Sequence, residues 1–451
     1  MFRSIRMTVG VLAILLGLLL LILSIVFSII TPAAPAVPSS PSTVPTTVPQ
    51  PTESTAPTTP PVIKEATASV GATGDILLHA NVIKSGYDAD TDTYDFNYIF
   101  QYLSEYVGAL DYAVGNMEGT LAGNTDGYEY DGYPQFNAPD AIVQALKNAG
   151  FDMLLTANNH AYDTGSHGFH RTQQVIHSMG IEHIGTRPDS NTKNYILKNV
   201  NGINIAMSCY TYDTRESTDG ISLNGIPVSE KDSLLVNTFH PEYLEEFYGK
   251  LEQEIAAMKA EGADTVMLFI HWGEEYVTTP NQTQKKIAQK LCDLGVDVIV
   301  GGHPHVIQPM ELLTSTTDST KTTICLYSLG NSVSNIRKSS SKPYECEDGM
   351  MFTLTFAKYS DGSVLVEKVE IVPYYVNRYS YTDAIPYRYP LVPLNLPQDR
   401  WQEEYDLTDE MFAACQSSLK RTEDIIGEGL ASANETLAQQ QKALEAKLGI
   451  A

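Results

Sequence analysis

From Lys64 onward, short β-rich apolar runs alternate with helical patterns, and run after run ends in side chains able to hold a metal ion. That alternation is the arrangement expected of an α/β fold. The composition of the runs predicts strands at Ala68–Thr73, Tyr112–Gly115, Met153–Thr156, Ile203–Cys209, Thr265–Ile270, Val296–Val300 and Thr323–Tyr327. Between them, Pro139–Asn148 opens on Pro-Asp and puts Ile142 and Leu146 on one face; Pro241–Ala260 and Gln282–Leu294 show similar helical spacing. Met351–Lys358 and Val364–Val372 flank Ser360-Asp361-Gly362, a hairpin turn signal. From about Asp406 the chain turns helical and amphipathic, with Leu437, Leu444 and Leu448 on one stripe. Three leucines are too few for a coiled coil, so this helix is expected to dock on the domain.

Ahead of the folded part, residues 7–30 form an uninterrupted apolar run without a charge. At ~1.5 Å per residue a helix of that length reaches ~36 Å and can cross ~30 Å of hydrocarbon. Arg3 and Arg6 precede it, and no basic residue follows until Lys64. The positive-inside bias therefore puts residues 1–6 in the cytoplasm and everything after residue 30 outside. A signal peptide cut after Ala34-Pro35-Ala36 is the alternative, although the apolar run exceeds the usual ~7–15 residues of such segments. Residues 31–62 hold ten of the chain's 24 prolines and one charge, Glu53. Such a stretch cannot build a core and reads as an extended, partly polyproline II stalk. The expected organisation is a cytoplasmic N-terminus at 1–6, a transmembrane helix at 7–30, a linker at 31–62, a folded α/β domain at 63–400 and a helical extension at 401–451.

The 451 residues carry 54 acidic and 29 basic side chains, a formal charge of −25. No broad basic face can form to neutralise phosphates, which argues against nucleic acid as a partner. An anionic substrate would have to be held locally, for instance by a metal. The five cysteines form no C-x-x-C pair and predict no disulfide framework; Cys325, inside an apolar run, reads as a small buried hydrophobe.

The motifs at the strand ends carry the chemistry, because loops converge there in open α/β sheets. They are Gly74-Asp75 with His79, Gly115-Asn116-Met117-Glu118, and Asn158-Asn159-His160 followed by Asp163. Later come His271-Trp272-Gly273-Glu274-Glu275-Tyr276, Gly302-His303-Pro304-His305, and Tyr327-Ser328-Leu329-Gly330-Asn331. A lone His is more often a structural hydrogen-bonding residue, and Asn at a strand end is usually turn chemistry. Taken together, imidazole, carboxylate and amide oxygen suit Mn²⁺, Fe or Zn²⁺ better than thiolate-loving ions or Ca²⁺.

At these motifs the chain resembles the bacterial capsule-synthesis CapA family of poly-γ-glutamate capsule proteins, itself similar to calcineurin-like metallophosphoesterases. The resemblance covers roughly residues 66–375. It implies a metallophosphoesterase-like α/β sandwich of two mixed sheets flanked by helices, with two divalent metal ions along the strand ends. Carried residue by residue, it implies that Asp75, His79 and His305 hold one metal, that Asn159, His271 and His303 hold the other, and that Glu118 bridges. His160 matches the histidine that in phosphoesterases protonates a leaving group or steadies the transition state. The chain departs from the phosphoesterase pattern in the wider Asp75–His79 spacing, in Asn116 where an aspartate is expected, and in Ala161 where an acid usually follows the histidine. Asp163 is then the group available to orient His160.

The function implied is a membrane-anchored, extracytoplasmic component of poly-γ-glutamate capsule biosynthesis or export. Its expected partners are the membrane, a capsule synthetase or export protein, and an anionic polymer. A cell-surface metal-dependent hydrolase unrelated to capsule, and a non-catalytic polymer-binding scaffold, are the competing readings.

Overall fold

The computed structural model describes residues 62–215, 220–339 and 342–448. The apolar run at 7–30 lies outside these residues, as does all but the last position of the Pro-rich stretch. No helix among the described residues is long and apolar enough to cross a membrane.

The chain's main elements are β1 (Lys64–Ile76), β2 (Tyr112–Met117), α1 (Ala141–Ala149), β3 (Met153–Leu155), α2 (Gly165–Ser178), β4 (Glu182–Ile184), β5 (Tyr195–Val200), β6 (Ile203–Tyr212), β7 (Thr238–Phe239) and α3 (Leu244–Ala260). They continue with β8 (Thr265–His271), α4 (Gln282–Leu294), β9 (Val298–Gly302), β10 (Ile307–Thr314), β11 (Thr322–Leu329), β12 (Asn331–Val333), β13 (Asp348–Tyr359), β14 (Val364–Val376), β15 (Leu391–Pro393) and α5 (Asp409–Leu448). Two large mixed sheets result. The first has the order β15-β14-β13-β1-β2-β3-β4, with β12 beside the end of β1; β1 to β4 run parallel and β13 to β15 antiparallel. The second has the order β7-β6-β8-β9-β11-β10, with β5 paired to β6; all but β5 and β10 run parallel.

Alternation along each strand decides how the sheets stack, because successive side chains leave on opposite faces. Ala68, Val70 and Ala72 of β1 share one core with Met267 and Phe269 of β8 and with Ile324 and Leu326 of β11. The intervening Val266, Leu268 and Ile270 pack instead on Leu251 and Ile255 of α3 and on Ile287 and Leu291 of α4. On the outer face of the first sheet, Ile76 and Leu154 join Ile142 and Leu146 of α1 and Ile176 of α2. The layers are helix, sheet, sheet, helix.

Local signals account for several boundaries. α4 begins in a capping box, in which the Asn281 side chain accepts from the Gln284 amide and the Gln284 side chain from that of Asn281; it ends at Gly295 with φ 86°. α5 docks through Ile426, Ala433 and Leu437, which enter the core between the sheets. Asn434 pairs its amide with both the N–H and the C=O of Val369 at 3.0 and 2.9 Å, as a neighbouring strand would. Arg421 makes two hydrogen bonds to the Asp348 carboxylate. The five cysteines are buried and unpaired.

Candidate metal centre

Strand direction brings the chemistry together. Asp75 lies at the end of β1, Glu118 directly follows β2, and Asn159 and His160 follow β3 in the first sheet. His271 ends β8, and His303 and His305 follow β9 in the second. All sit at carboxyl ends of parallel strands, so the site forms where the matching edges of the two sheets face each other.

Two clusters share one carboxylate. Ligand atoms of Asp75, Glu118 and His305 lie within 4.8 Å of one another, as do those of Glu118, His271 and His303, and every member is buried. Glu118 Oε1 stands 3.5 Å from His271 Nε2 and 3.9 Å from His305 Nε2, and Asp75 Oδ2 stands 3.4 Å from His305 Nδ1. Neither Glu118 oxygen has a hydrogen-bond partner, and neither has His303 Nδ1. Buried carboxylates are ordinarily paired or coordinate a metal. Orphaned atoms at the meeting point of imidazoles and carboxylates therefore fit a cation, and the mix of N and O donors fits a divalent transition ion.

The surrounding backbone is shaped for this approach. The His303 N–H donates to Asp75 Oδ2 at 3.0 Å, and a Cβ on Gly302 would come within 2.8 Å of Asp75 Oδ1. His303 and His305 both have positive φ, 95° and 57°, a conformation costing on the order of 1 kcal/mol or more for a side-chain-bearing residue and found where function over-determines the backbone. Asn331 Oδ1 lies 3.0 Å from His305 Nδ1, while its Nδ2 donates to the carbonyls of His305 and Cys346. Asn116 Nδ2 donates to Asp75 Oδ1 at 2.7 Å.

Charge in the cluster follows from burial and proximity. Burial opposes ionisation of Asp75, but the hydrogen bond from His305 and the charges of His271 and His305 outweigh it and lower the carboxyl. Burial likewise opposes His305, yet Glu118 and Asp75 raise it to about 9. Burial, with the charges of His271 and His305 added, pushes His303 well below the ordinary range. An imidazolium thus supplies positive charge beside two carboxylates, and a metal binding there would displace its proton.

His160 stands beside the clusters. Its Nδ1 is 2.8 Å from Asp163 Oδ2, which also accepts from the Phe136 N–H at 2.7 Å. Burial disfavours the charged ring, but Asp163 and then Glu118 more than offset it and raise the pKa. Asn159 Oδ1 lies 2.7 Å from His271 Nε2, on the same edge. His79 falls outside both clusters: its ring meets Phe136 edge-on at 5.1 Å, its Nδ1 accepts from the Asn335 N–H, and burial with nearby His305 lowers it to about 3.

Two neighbours were not singled out from sequence. Tyr212 places its ring 4.9 Å from His303. Asn224 accepts from Asn159 Nδ2 at 3.1 Å and brings its own amide 3.2 Å from His160 Nδ1. Its signal was local: Asn224-Gly225, with φ of 47° and 74°, turns the Ser222–Leu223/Ile226–Pro227 hairpin.

The family model described as bacterial capsule synthesis protein PGA_cap matches residues 69–336, an interval containing every residue named in the two clusters. The capsule biosynthesis protein CapA of Bacillus anthracis is 32% identical over 265 residues, 58% of this chain and 58% of that one. The PGA biosynthesis protein CapA of Bacillus subtilis (strain 168) is 30% identical over 267 residues, 59% of this chain and 63% of that one. The matched region thus spans less than two thirds of either relative. A solved Staphylococcus aureus structure, assigned as a 5'-nucleotidase and in complex with alpha-ketoglutarate, aligns with 70% of this chain and 56% of that one at 10% identity and a TM-score of 0.38, too distant to carry an argument. By the extent of the family match, the chain belongs to the bacterial capsule synthesis protein PGA_cap family.

Proposed function

We propose that this chain is an extracytoplasmic component of poly-γ-glutamate capsule assembly that hydrolyses or hands on an anionic substrate at a two-metal, phosphoesterase-like centre. The apolar run at 7–30 would be its single-pass anchor and residues 31–62 the stalk that lifts the domain from the membrane. The observation that carries the reading is the pair of buried clusters sharing Glu118, whose oxygens have no other partner. Asp75, Glu118 and His305 would hold one ion, and Glu118, His271 and His303, with Asn159 alongside, the other. Bound there, a pair of divalent ions supplies positive charge for an attacked phosphoryl or carbonyl group and lowers the pKa of water.

The remaining work belongs to the chain's own side chains. Asp163 holds a proton on His160 Nδ1 and raises the ring's pKa against burial, which favours a proton on the other ring nitrogen, the one that donates to the departing oxygen or nitrogen. Asn331 and Asn116 orient His305 and Asp75 from behind.

Elemental analysis of the purified chain tests the centre: wild type is expected to hold divalent metal, and Asp75→Ala and His303→Ala to lose it. His160→Ala should keep the metal while turnover of a phosphodiester falls about 100-fold or more. A metal-free wild type across Mn, Fe and Zn would overturn the proposal.

A further inference from the structure

The clusters concentrate carboxylates at a site proposed to receive an anion, in a chain whose residues 63–451 hold 53 acidic against 27 basic side chains. A cation beside the metals would help an anion approach through so acidic a surface. One lysine is placed to do so. Lys342 Nζ sits 4.8 Å from the centroid of the Tyr276 ring, and that ring lies 5.9 Å from the ring of His305. Tyr276 is itself fixed to the ligand loop, its N–H donating to the Pro304 carbonyl at 2.8 Å, in a backbone conformation with φ of 63°.

Lys342 is half-buried, and among the described residues no carboxylate lies within ion-pair distance of it. Lys342 is not alone in this, since Lys84, Lys231 and Lys259 also form no ion pair among the described residues, whereas other lysines do. Lys338, four residues earlier, pairs with Glu345 at 2.8 Å, and Lys64, Lys193, Lys198, Lys358 and Lys368 all have carboxylate partners. An ammonium over an aromatic face keeps its charge and leaves its N–H donors free.

We propose that Lys342 is the anion-recognition residue of this centre, taking a carboxylate or phosphate of the substrate other than the group under attack. The inference rests on the reading of the clusters as a centre for an anionic substrate. It makes that reading specific: the substrate carries a second negative group beside the reacting bond, as a polycarboxylate or a substituted phosphate ester does.

The test is calorimetric binding to the full chain, wild type beside Lys342→Met and Lys342→Arg, at low and moderate salt, with manganese and after chelation. The probes are a γ-linked glutamate oligomer, its uncharged amide counterpart and inorganic phosphate. Lys342→Met is expected to weaken binding of the charged oligomer about tenfold at low salt and to flatten its salt dependence. Lys342→Arg should stay within about threefold of wild type, metal content should not change, and the amide counterpart should not distinguish the variants. Weakening confined to phosphate assigns the subsite to a phosphate ester; weakening confined to the oligomer assigns it to the polymer. Equal binding of both anions by wild type and Lys342→Met, or no binding of either by wild type, overturns the proposal. A lysine-dependent effect in a chain that holds no metal would uphold Lys342 while removing the metal centre, so the two failures can be told apart.

Discussion

Replacing Glu118 by Gln separates a metal centre from a buried charge cluster, because the two readings give different signs. In the chain without metal, both Glu118 oxygens are buried and accept no hydrogen bond. The amide therefore forfeits no hydrogen bond and relieves the burial of a carboxylate, which costs several kcal/mol when poorly paired, while His305, losing the charge that does most to raise it, can release its proton. Stability of the chelated variant should lie within about 1 kcal/mol of wild type or above it. With metal the order reverses. A ligand that binds only the folded state adds about 2.7 kcal/mol at a hundredfold excess over its Kd. If loss of the shared carboxylate weakens binding ~100-fold, the same concentration adds only ~0.4 kcal/mol to the variant. At about 2 °C or less per kcal/mol for a domain of this size, thermal unfolding with and without manganese should show a shift approaching 5 °C for wild type and under about 1 °C for Glu118→Gln. Equal shifts in the two proteins would refute the shared-ligand argument. A chelated variant several kcal/mol less stable than wild type would refute the claim that the carboxylate is orphaned.

Glu254, buried on α3, is raised by burial to about 7 although Tyr210 and Asn194 hydrogen-bond to it. An acid whose folded pKa exceeds its unfolded value contributes most below the unfolded pKa and loses that contribution as pH rises toward the folded one. Glu254→Gln should match wild type near pH 4 and exceed it by ~1–3 kcal/mol at pH 8 in denaturant unfolding, and no pH dependence in the difference would refute this. Leu437, 4% exposed, reaches between the two sheets from α5; Leu437→Ala should lower unfolding stability by ~2–5 kcal/mol, and a loss below ~1 kcal/mol would mean the helix is not part of the core.

What the sequence made legible follows from how each residue is positioned. Asp75, Glu118, His271, His303 and His305 sit on a strand or within three residues of one, so once the strands pair in parallel, the motifs have little freedom to be elsewhere. His79 lies three residues beyond β1, at the start of the helix Ala80–Gly86, and its direction depends on how that turn packs. The turn sets its ring against Phe136 and its Nδ1 against the Asn335 N–H, so that it joins neither cluster. Asn224 fails to be legible for the opposite reason: its hairpin is plain in the sequence, but where a hairpin between β6 and β7 comes to rest is a tertiary matter. Among the strands, β4 is three residues long and gives no periodicity to read. β10 contains Pro309, which demotes a run from a central strand; it sits at the sheet's edge, where a missing donor is tolerated.

Asn116, at the place where the resemblance drawn from the sequence implies an aspartate, has a geometric reading. An aspartate in place of Asn116 would set a second carboxylate 2.7 Å from Asp75, and two such groups cannot both ionise without a large penalty. The asparagine removes that conflict and donates to Asp75 instead. The missing charge reappears two residues later. In extended chain, residues i and i+2 leave on the same face, and the Glu118 N–H still donates to the Ile76 carbonyl at 3.1 Å, extending the ladder between β1 and β2. Glu118 therefore enters the same space as Asn116, one step further along the strand, and its longer side chain lies within reach of His271 from one sheet edge and of His305 from the adjacent loop. A carboxylate placed there can be shared, whereas one at position 116 would crowd Asp75.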